Sequence, residues 1–556
     1  MRTNEKLLSG YENMRLKKYE EITIDTPGVV AYDDLPELSV KGVLKSNFHI
    51  NGKLCQTYSA DDNHVCVIAG TRLGKTTGYV VPLVCSFAHQ KVKKSMIISD
   101  PKGEVYRLTA ETLRKEGYKV LLLNFRDYNH SECWNPLMPI CEKFCSQNDI
   151  YGEIELVEVN GKPCNKFRGR VYESQQALDR ALALVREQII MDVTKEIDDI
   201  AMYMVPPDGS NDPYWADSAR DVFKGFMWAM LEDVEAGKLK KEDVAMSTIF
   251  DTLRTFHESE NRTYGSYNDN GYFSRRSNNS RALELVKQPM LDNAPRTRSC
   301  VMSMFNTKIS TFRAATANVI TSFNSFDFSE FLDGKVALFI DYQDEIKTQY
   351  ELIGRFVQDL YKYFIQAANE RPRGKFENPI YFILDEFGNF PAFPGFETTI
   401  SACAGRNIFF VLIVQSYAQL DAVYSPAVAK IIRDNLNVQI FMGSNNRETL
   451  EEFARMCGQR TRLSPLSAIN GRYGELENRQ LETIPLIPVS ELAHFEPGEC
   501  VVTEANSGYV LYSKLERYYT CDEFKDLPQS NASEYCPVVD AFERIFSAKR
   551  ATAKRR

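Results

Sequence analysis

Two stretches far apart in the chain carry residue types that together perform phosphate chemistry. The first is A-G-T-R-L-G-K-T, Ala69 to Thr76, followed by Thr77. Gly70 and Gly74 let the backbone N–H groups of Thr71, Arg72 and Leu73 turn inward around a triphosphate. Lys75 supplies positive charge near the β- and γ-phosphates, and the Thr76 hydroxyl suits a Mg²⁺ ligand. A helix opening at this point adds a favourable dipole. Ala69 departs from the glycine usual at the first of these positions. Alanine is tolerable there if its φ stays negative, and Gly70 beside it is expected to restore some freedom.

The second stretch is I-L-D-E-F-G-N, Ile383 to Asn389. Asp385 is expected to hold the Mg²⁺ shell, and Glu386, one residue on, to polarise an attacking water. An acidic pair ending a strand also serves as a helix cap; the apolar run before it and the phosphate loop upstream favour hydrolysis. Gln415 ends the next apolar run, I-F-F-V-L-I-V-Q, where its amide can touch the γ-phosphate or the water and report which nucleotide is bound. Arg406, in A-G-R-N just before that run, has two readings. It is a surface arginine, or it reaches the nucleotide of a neighbouring copy packed in a ring. Asn165-Lys166 is followed by Phe167-Arg168 rather than the N-K-x-D that reads guanine, so ATP with Mg²⁺ is the expected ligand.

These residues need a parallel sheet to hold them. Val65 to Ile68, Lys94 to Asp100, Tyr118 to Phe125, Val336 to Asp341, Tyr381 to Leu384, Ile408 to Gln415 and Asn437 to Gly443 are apolar runs of buried-strand character. Helical stretches alternate with them, which predicts an α/β fold with a doubly wound, mostly parallel sheet. Open sheets of this kind place their ligands at the carboxyl ends of the strands, where Asp385 and Glu386 fall. Between the third and fourth runs the pattern becomes helical, over Ser174 to Met204 and Tyr214 to Val234, after a hairpin at Ile154 to Gly161. The predicted division is therefore 1–60, polar with short strands; 61–140, the first part of the nucleotide domain; 141–300, an inserted all-α domain with an initial hairpin; 301–525, the second part; and 526–556, a helix and basic tail. Two short strands between Glu499 and Tyr519 are expected to close the sheet edge. Residues 258–281, rich in Asn, Ser and Gly with interspersed Tyr and Arg, read either as an interaction loop or as a solvated one.

The 556 residues suffice for two or three domains, and the net charge of -8 restricts any nucleic-acid contact to a local groove, loop or pore. Thirteen cysteines without a C-x-x-C pair argue against a disulfide framework. Cys133, Cys141, Cys145 and Cys164, with His130 near, match no zinc spacing and read as buried thiols. No run reaches the roughly 18 apolar residues of a membrane span, so a cytoplasmic location is expected.

T-R-L-G-K-T-T-G-Y-V-V-P (Thr71 to Pro82), S-D-P-K-G-E (Ser99 to Glu104), W-N-P-L (Trp134 to Leu137), D-P-Y-W-A-D-S-A (Asp212 to Ala219), I-L-D-E-F-G-N and V-Q-S-Y-A-Q-L (Val414 to Leu420) stand in one order. As an ordered set they resemble the type IV secretion coupling proteins of the TraG/TraD conjugation family. The resemblance implies a RecA-like, FtsK-like motor domain interrupted after W-N-P-L by an all-α domain that docks substrate. It further implies a homo-hexameric ATPase at the cytoplasmic mouth of a type IV secretion channel, at the inner face of the cell membrane. Such a protein receives a relaxase bound to single-stranded DNA, or a protein substrate, with DNA meeting loops of a central pore. By the same likeness Lys102 approaches phosphate at a subunit junction. Family members usually carry N-terminal transmembrane helices. Their absence from the sequence points to docking on a separate inner-membrane partner, or to a missing segment. Two other functions fit the same motifs: a nucleotide-gated docking receptor with little turnover, and a soluble DNA translocase of the FtsK or HerA type.

Overall fold

A computed structural model describes residues 15–18, 22, 29–38, 40–159, 162–207, 213–257, 271–343, 345–463 and 481–537. The chain divides into two compact units, one within Met1–Ser131 and Asp327–Pro537, the other built on Glu132–Phe326.

The first unit is organised on a ten-stranded sheet. Its strands are β1 (Arg15–Lys18), β2 (Val65–Ala69), β3 (Ser95–Asp100), β4 (Lys119–Asn124), β5 (Val336–Asp341), β6 (Ile380–Leu384), β7 (Ile408–Val414), β8 (Val438–Gly443), β9 (Glu499–Glu504) and β10 (Tyr509–Lys514). The spatial order is β1-β10-β9-β8-β2-β7-β6-β3-β5-β4. All pairs from β8 to β4 are parallel, whereas β9 runs antiparallel to both β8 and β10. The last two strands extend one edge, and β1 then pairs parallel with β10, an addition with no apolar pattern to announce it.

Strands β2, β3 and β5 to β8 are buried along their whole length, as expected of a sheet covered on both faces. Helices Val81–His89 and Glu104–Lys115 share one core with alternate strand residues such as Val67, Ile98 and Ile383. On the opposite face, Phe364 of the helix Lys347–Asn369 meets Phe382 at 6.0 Å, and Phe396 of Phe396–Cys403 meets Phe410 edge-on at 5.2 Å. The parallel register brings Ala69, Val414, Leu384, Asp100 and Asp341 to one edge of the sheet. A small antiparallel sheet, Val29–Ala31, Lys53–Tyr58 and Leu44–Ile50, contributes Leu44, Phe48, Leu54 and Tyr58 to the first of these cores, so the leading polar region includes a packed part of this unit.

The second unit departs from the expected 141–300. It begins at Glu132 because the W-N-P-L stretch belongs to it: Trp134 is buried and its backbone N–H donates to Ile320 O at 2.7 Å, while Asn135 Nδ2 donates to Val244 O at 2.7 Å. Entry and exit are tied by Cys133 N to Ser325 Oγ at 2.8 Å and Ser325 N to Cys133 O at 3.0 Å. Nor is it all-α, since the hairpin gains a third antiparallel strand to give Glu155–Val159, Lys162–Phe167 and Arg170–Tyr172. The helix Tyr214–Glu235 is its centre. Phe226 stacks on Phe305 at 5.7 Å and meets Phe273 at 5.0 Å, and a Cβ on Gly225 would strike Val286 Cγ1 at 2.2 Å. Residues 258–270 of the expected interaction loop lie outside the described residues. Of the remainder, Phe273 is core and Arg276 pairs with Glu232 and Asp233, so those side chains are structural.

Between 526 and 537 the chain holds only a short turn at Ala532–Glu534; the C-terminal helix and the basic tail Lys549 to Arg556 lie outside the described residues. Among the described residues no helix is long and apolar enough to cross a membrane. Cys133, Cys141, Cys145 and Cys164 are buried.

Candidate nucleotide site

β2 ends at Ala69, and Gly70 to Gly74 form the loop before a helix that begins at Lys75 with π-type turns and continues as Val81–His89. Ala69 is buried strand and is not in the left-handed region; the residues that are, Arg72 (φ 67°) and Gly74 (φ 89°), carry the loop's reversal. Gly70 therefore acts otherwise than expected. Its φ is not positive, its N–H donates to Gly443 O at 2.9 Å, and a Cβ there would stand 3.3 Å from Leu73 Cδ1. Thr71, Arg72 and Leu73 are exposed, Thr76 is part-buried, and Thr77 Oγ1 donates to Gly74 O at 3.4 Å.

Because β7 separates β2 from β6, Gln415 emerges between the phosphate loop and the acidic pair. A continuous polar chain results. Thr71 Oγ1 donates to Gln415 Oε1 at 3.5 Å, and Gln415 Nε2 donates to Glu386 Oε2 at 3.1 Å. Lys75 Nζ donates to Glu386 Oε1 and lies 3.5 Å from Asp385 Oδ1. Glu386 adopts a left-handed backbone, φ 54° and ψ 38°, which costs a non-glycine residue on the order of 1 kcal/mol. That turn brings its carboxylate to both Lys75 and Gln415. Burial pushes the Asp385 carboxyl above the ordinary carboxylate range, and the Lys75 ammonium works against that shift.

Supporting contacts surround these groups. Ser99 Oγ donates to Asp385 O at 3.1 Å, and Gln415 N donates to Gln419 Oε1 at 2.9 Å. Gly388 leaves room for Gln419, since a Cβ there would come within 2.7 Å of its Oε1. Farther along the edge, Asp100 Oδ2 accepts from Tyr106 N at 2.8 Å, capping the helix Glu104–Lys115. Its carboxyl is pushed up to about 7 by burial, with Asp341 and Asp385 adding to the shift. Arg126 Nε donates to Asp341 Oδ1 at 2.7 Å, and its Nη2 donates to Pro101 O and Tyr342 O. The S-D-P-K-G-E turn is thus braced from inside, with Lys102 exposed on it.

The structure brings together Thr71, Lys75, Asp385, Glu386 and Gln415. It does not bring Arg406 to them. That residue precedes β7 at its amino end, about 20 Å from Gln415 by strand rise. There it donates to Asn369 Oδ1 at 3.2 and 3.3 Å and to Ala402 O at 2.8 Å. Sequence reading gave Ser99 no role although it opens the S-D-P-K-G-E motif, and missed the Arg126–Asp341 pair, because no local pattern specifies their partners. Gln419 stood within a noted motif but without a role.

A buried carboxylate, an ammonium and a threonine hydroxyl beside a backbone loop with a left-handed glycine form a donor set that fits a Mg²⁺–nucleotide. With β7 between the loop strand and the acidic strand, and helices on both faces, the first unit has a RecA-like fold. The chain belongs to the family described as Type IV secretory system Conjugative DNA transfer, whose model matches residues 36–534. It is 23% identical over 421 residues to the conjugal transfer protein TraG of Escherichia coli, an alignment covering 74% of this chain and 57% of that one. It is 21% identical over 450 residues to VirD4 of Rhizobium radiobacter, covering 78% and 55% respectively. The chain thus spans little more than half the length of these curated relatives. Among solved structures, the unbound bacterial conjugative coupling protein TrwBdeltaN70 superposes with a TM-score of 0.54 at 14% identity, covering 88% of this chain and 92% of that chain. TrwB in complex with ADP and Mg²⁺ does so at 0.51 and 13%, covering 82% and 85%.

Proposed function

We propose that this chain is an ATP-hydrolysing coupling protein that receives a relaxase carrying single-stranded DNA, or a protein substrate, and delivers it to a type IV secretion channel. The observation that carries the reading is the Lys75 ammonium held between Asp385 and Glu386, with Gln415 bridging to the phosphate loop. Family membership supplies conjugative DNA transfer as the setting, and TrwB, a structural neighbour, has been solved with ADP and Mg²⁺.

In this reading the loop amides and Lys75 hold the phosphates, and Thr76 and Asp385 are the residues that would hold Mg²⁺. The ion, when bound, neutralises charge on the phosphate oxygens. Lys75 exchanges its carboxylate partners for phosphate, which frees Glu386 to accept a proton from the attacking water. Gln415, fixed through Gln419, positions that water. The assembled form is a homo-hexamer at the inner face of the membrane beside a membrane partner, in which Arg406 of one copy is available to the next.

Turnover of ATP, measured with and without single-stranded DNA, together with plasmid transfer by a strain carrying Lys75→Ala, tests the proposal. Stimulated turnover and abolished transfer are expected. Negligible turnover in the assembled protein would favour a nucleotide-gated docking receptor, and unimpaired transfer by the variant would sink the motor reading.

A further inference from the structure

The helix that begins at Lys75 has glycines four positions apart, Gly74 at its cap and Gly78 within it, and residues so spaced share a face. The segment following β10 runs along that face. A Cβ on Gly78 would stand 3.1 Å from Leu515 O, and one on Gly74 would stand 3.4 Å from Arg517 Nε and 3.9 Å from its Cζ. A side chain at Gly78 would crowd Leu515 O, whereas at Gly74 the guanidinium of Arg517 lies at ordinary contact distance, so the segment packs directly beside the phosphate loop.

This segment is anchored on its far side. Leu515 N donates to Gly498 O at 2.7 Å, Glu516 N to Asn47 O at 3.2 Å, and Asn47 Nδ2 to Glu516 O at 3.0 Å. His49 Nδ1 and Glu516 Oε2 meet at 2.6 Å, and Thr520 N donates to Arg517 O at 2.9 Å to close a turn. Arg517 is therefore carried on a fixed backbone rather than a swinging loop. Its Nη1 donates to Tyr519 OH at 2.6 Å, and the Tyr519 ring is 49% exposed. An arginine beside the phosphate loop, with a half-exposed aromatic hydrogen-bonded to it, offers a cation and a flat apolar face together.

The sheet order gives this corner a direction. β2 has β7 and β6 on one side, with Gln415, Asp385 and Glu386 at their ends; on the other side lie β8, β9 and β10, from which Arg517 and Tyr519 follow. A phosphate chain with its terminal group at Lys75 and Glu386 has its opposite end on the Arg517 side of Gly74. We infer that Arg517 and Tyr519 form the nucleoside half of the site, holding the ribose and base of the nucleotide whose phosphates the loop holds. This rests on the nucleotide reading above and adds to it a strap from the chain's last strands.

Calorimetric titration of the full chain with Mg-ATP and with Mg-tripolyphosphate separates the two halves. Tyr519→Ala and Arg517→Ala are each expected to weaken ATP at least tenfold while leaving tripolyphosphate within twofold of the parent. Tyr519→Phe, which keeps the ring, is expected to retain ATP affinity. Tyr519 is half exposed, so its truncation leaves no cavity, and an unchanged melting temperature certifies the fold. If the parent binds both ligands and both alanine variants bind ATP as the parent does, the strap assignment is wrong. Equal loss of ATP and tripolyphosphate in both also overturns it, because the contact would then be to phosphate. A parent that binds neither ligand would instead overturn the nucleotide reading itself.

Discussion

Gln415 Nε2 donates to Glu386 Oε2 at 3.1 Å while the other carboxylate oxygen of Glu386 accepts from Lys75. One carboxylate thus joins the end of β7 to the start of the phosphate-loop helix. Phosphate entering the loop competes for Lys75, so nucleotide binding and the release of Glu386 are a single exchange of ionic partners.

Glu386→Gln keeps the side chain's shape and its contact with Gln415 but removes the base. Turnover is expected to fall about 10²- to 10⁴-fold, the range for loss of a positioned general base. ATP affinity should hold or rise, because Lys75 no longer has that carboxylate as a competitor. Steady-state hydrolysis beside equilibrium binding checks both; unchanged turnover would remove Glu386 from the chemistry.

Gly388→Ala places a methyl 2.7 Å from Gln419 Oε1 and 2.8 Å from Gln419 Cβ. The amide tip can swing aside, but Cβ is fixed by the backbone, so the helix Tyr417–Tyr424 must shift. A stability loss of about 1–3 kcal/mol is expected for such overpacking. A drop in turnover larger than the drop in ATP affinity should accompany it, as Gln415 loses its fixed amide partner. Urea unfolding and a comparison of kcat with KM distinguish the two effects.

Asp100 gives the unit a pH signature. Its carboxyl is pushed up to about 7 by burial, against 3.8 for an unperturbed aspartate. Between those values the folded chain keeps a proton that the unfolded chain has released, so stability falls as pH rises through that window and levels off above it. Asp100→Asn removes this slope and can still accept from Tyr106 N. The variant should gain on the parent by a few kcal/mol between pH 4 and 8, on the order set by a buried acid. Melting curves across that range check it; a constant difference between variant and parent would refute the assignment.

Arg126→Ala leaves Asp341, a buried carboxylate, without its cation. Arg126 is itself about one-third exposed, with a side-chain exposure of 35%, so water offsets part of the loss. A destabilisation of roughly 1–3 kcal/mol is expected, below the cost of breaking a fully buried pair. Adding Asp341→Asn should recover more than half of it. Denaturant titration of the two single variants and the double variant closes the cycle.

The sequence by itself determined the strands of the parallel core, the phosphate loop and the acidic pair. Each depends on neighbours in the chain: an apolar run makes a buried strand, a glycine permits a left-handed turn, and a carboxylate closing a strand falls at the sheet's ligand edge. Where the second unit begins and ends is set by Trp134 and Ser325, which join it only through partners distant in sequence. Tertiary structure alone decided the strand order. Placing β7 between β2 and β6 turned Gln415 into the bridge between Lys75's loop and Glu386, and put Arg406 at the opposite end of its strand. It also brought Arg517 beside Gly74 and Arg126 beside Asp341. Those pairings follow from how whole strands stack and register, and no periodicity in the chain encodes which strand will lie next to which.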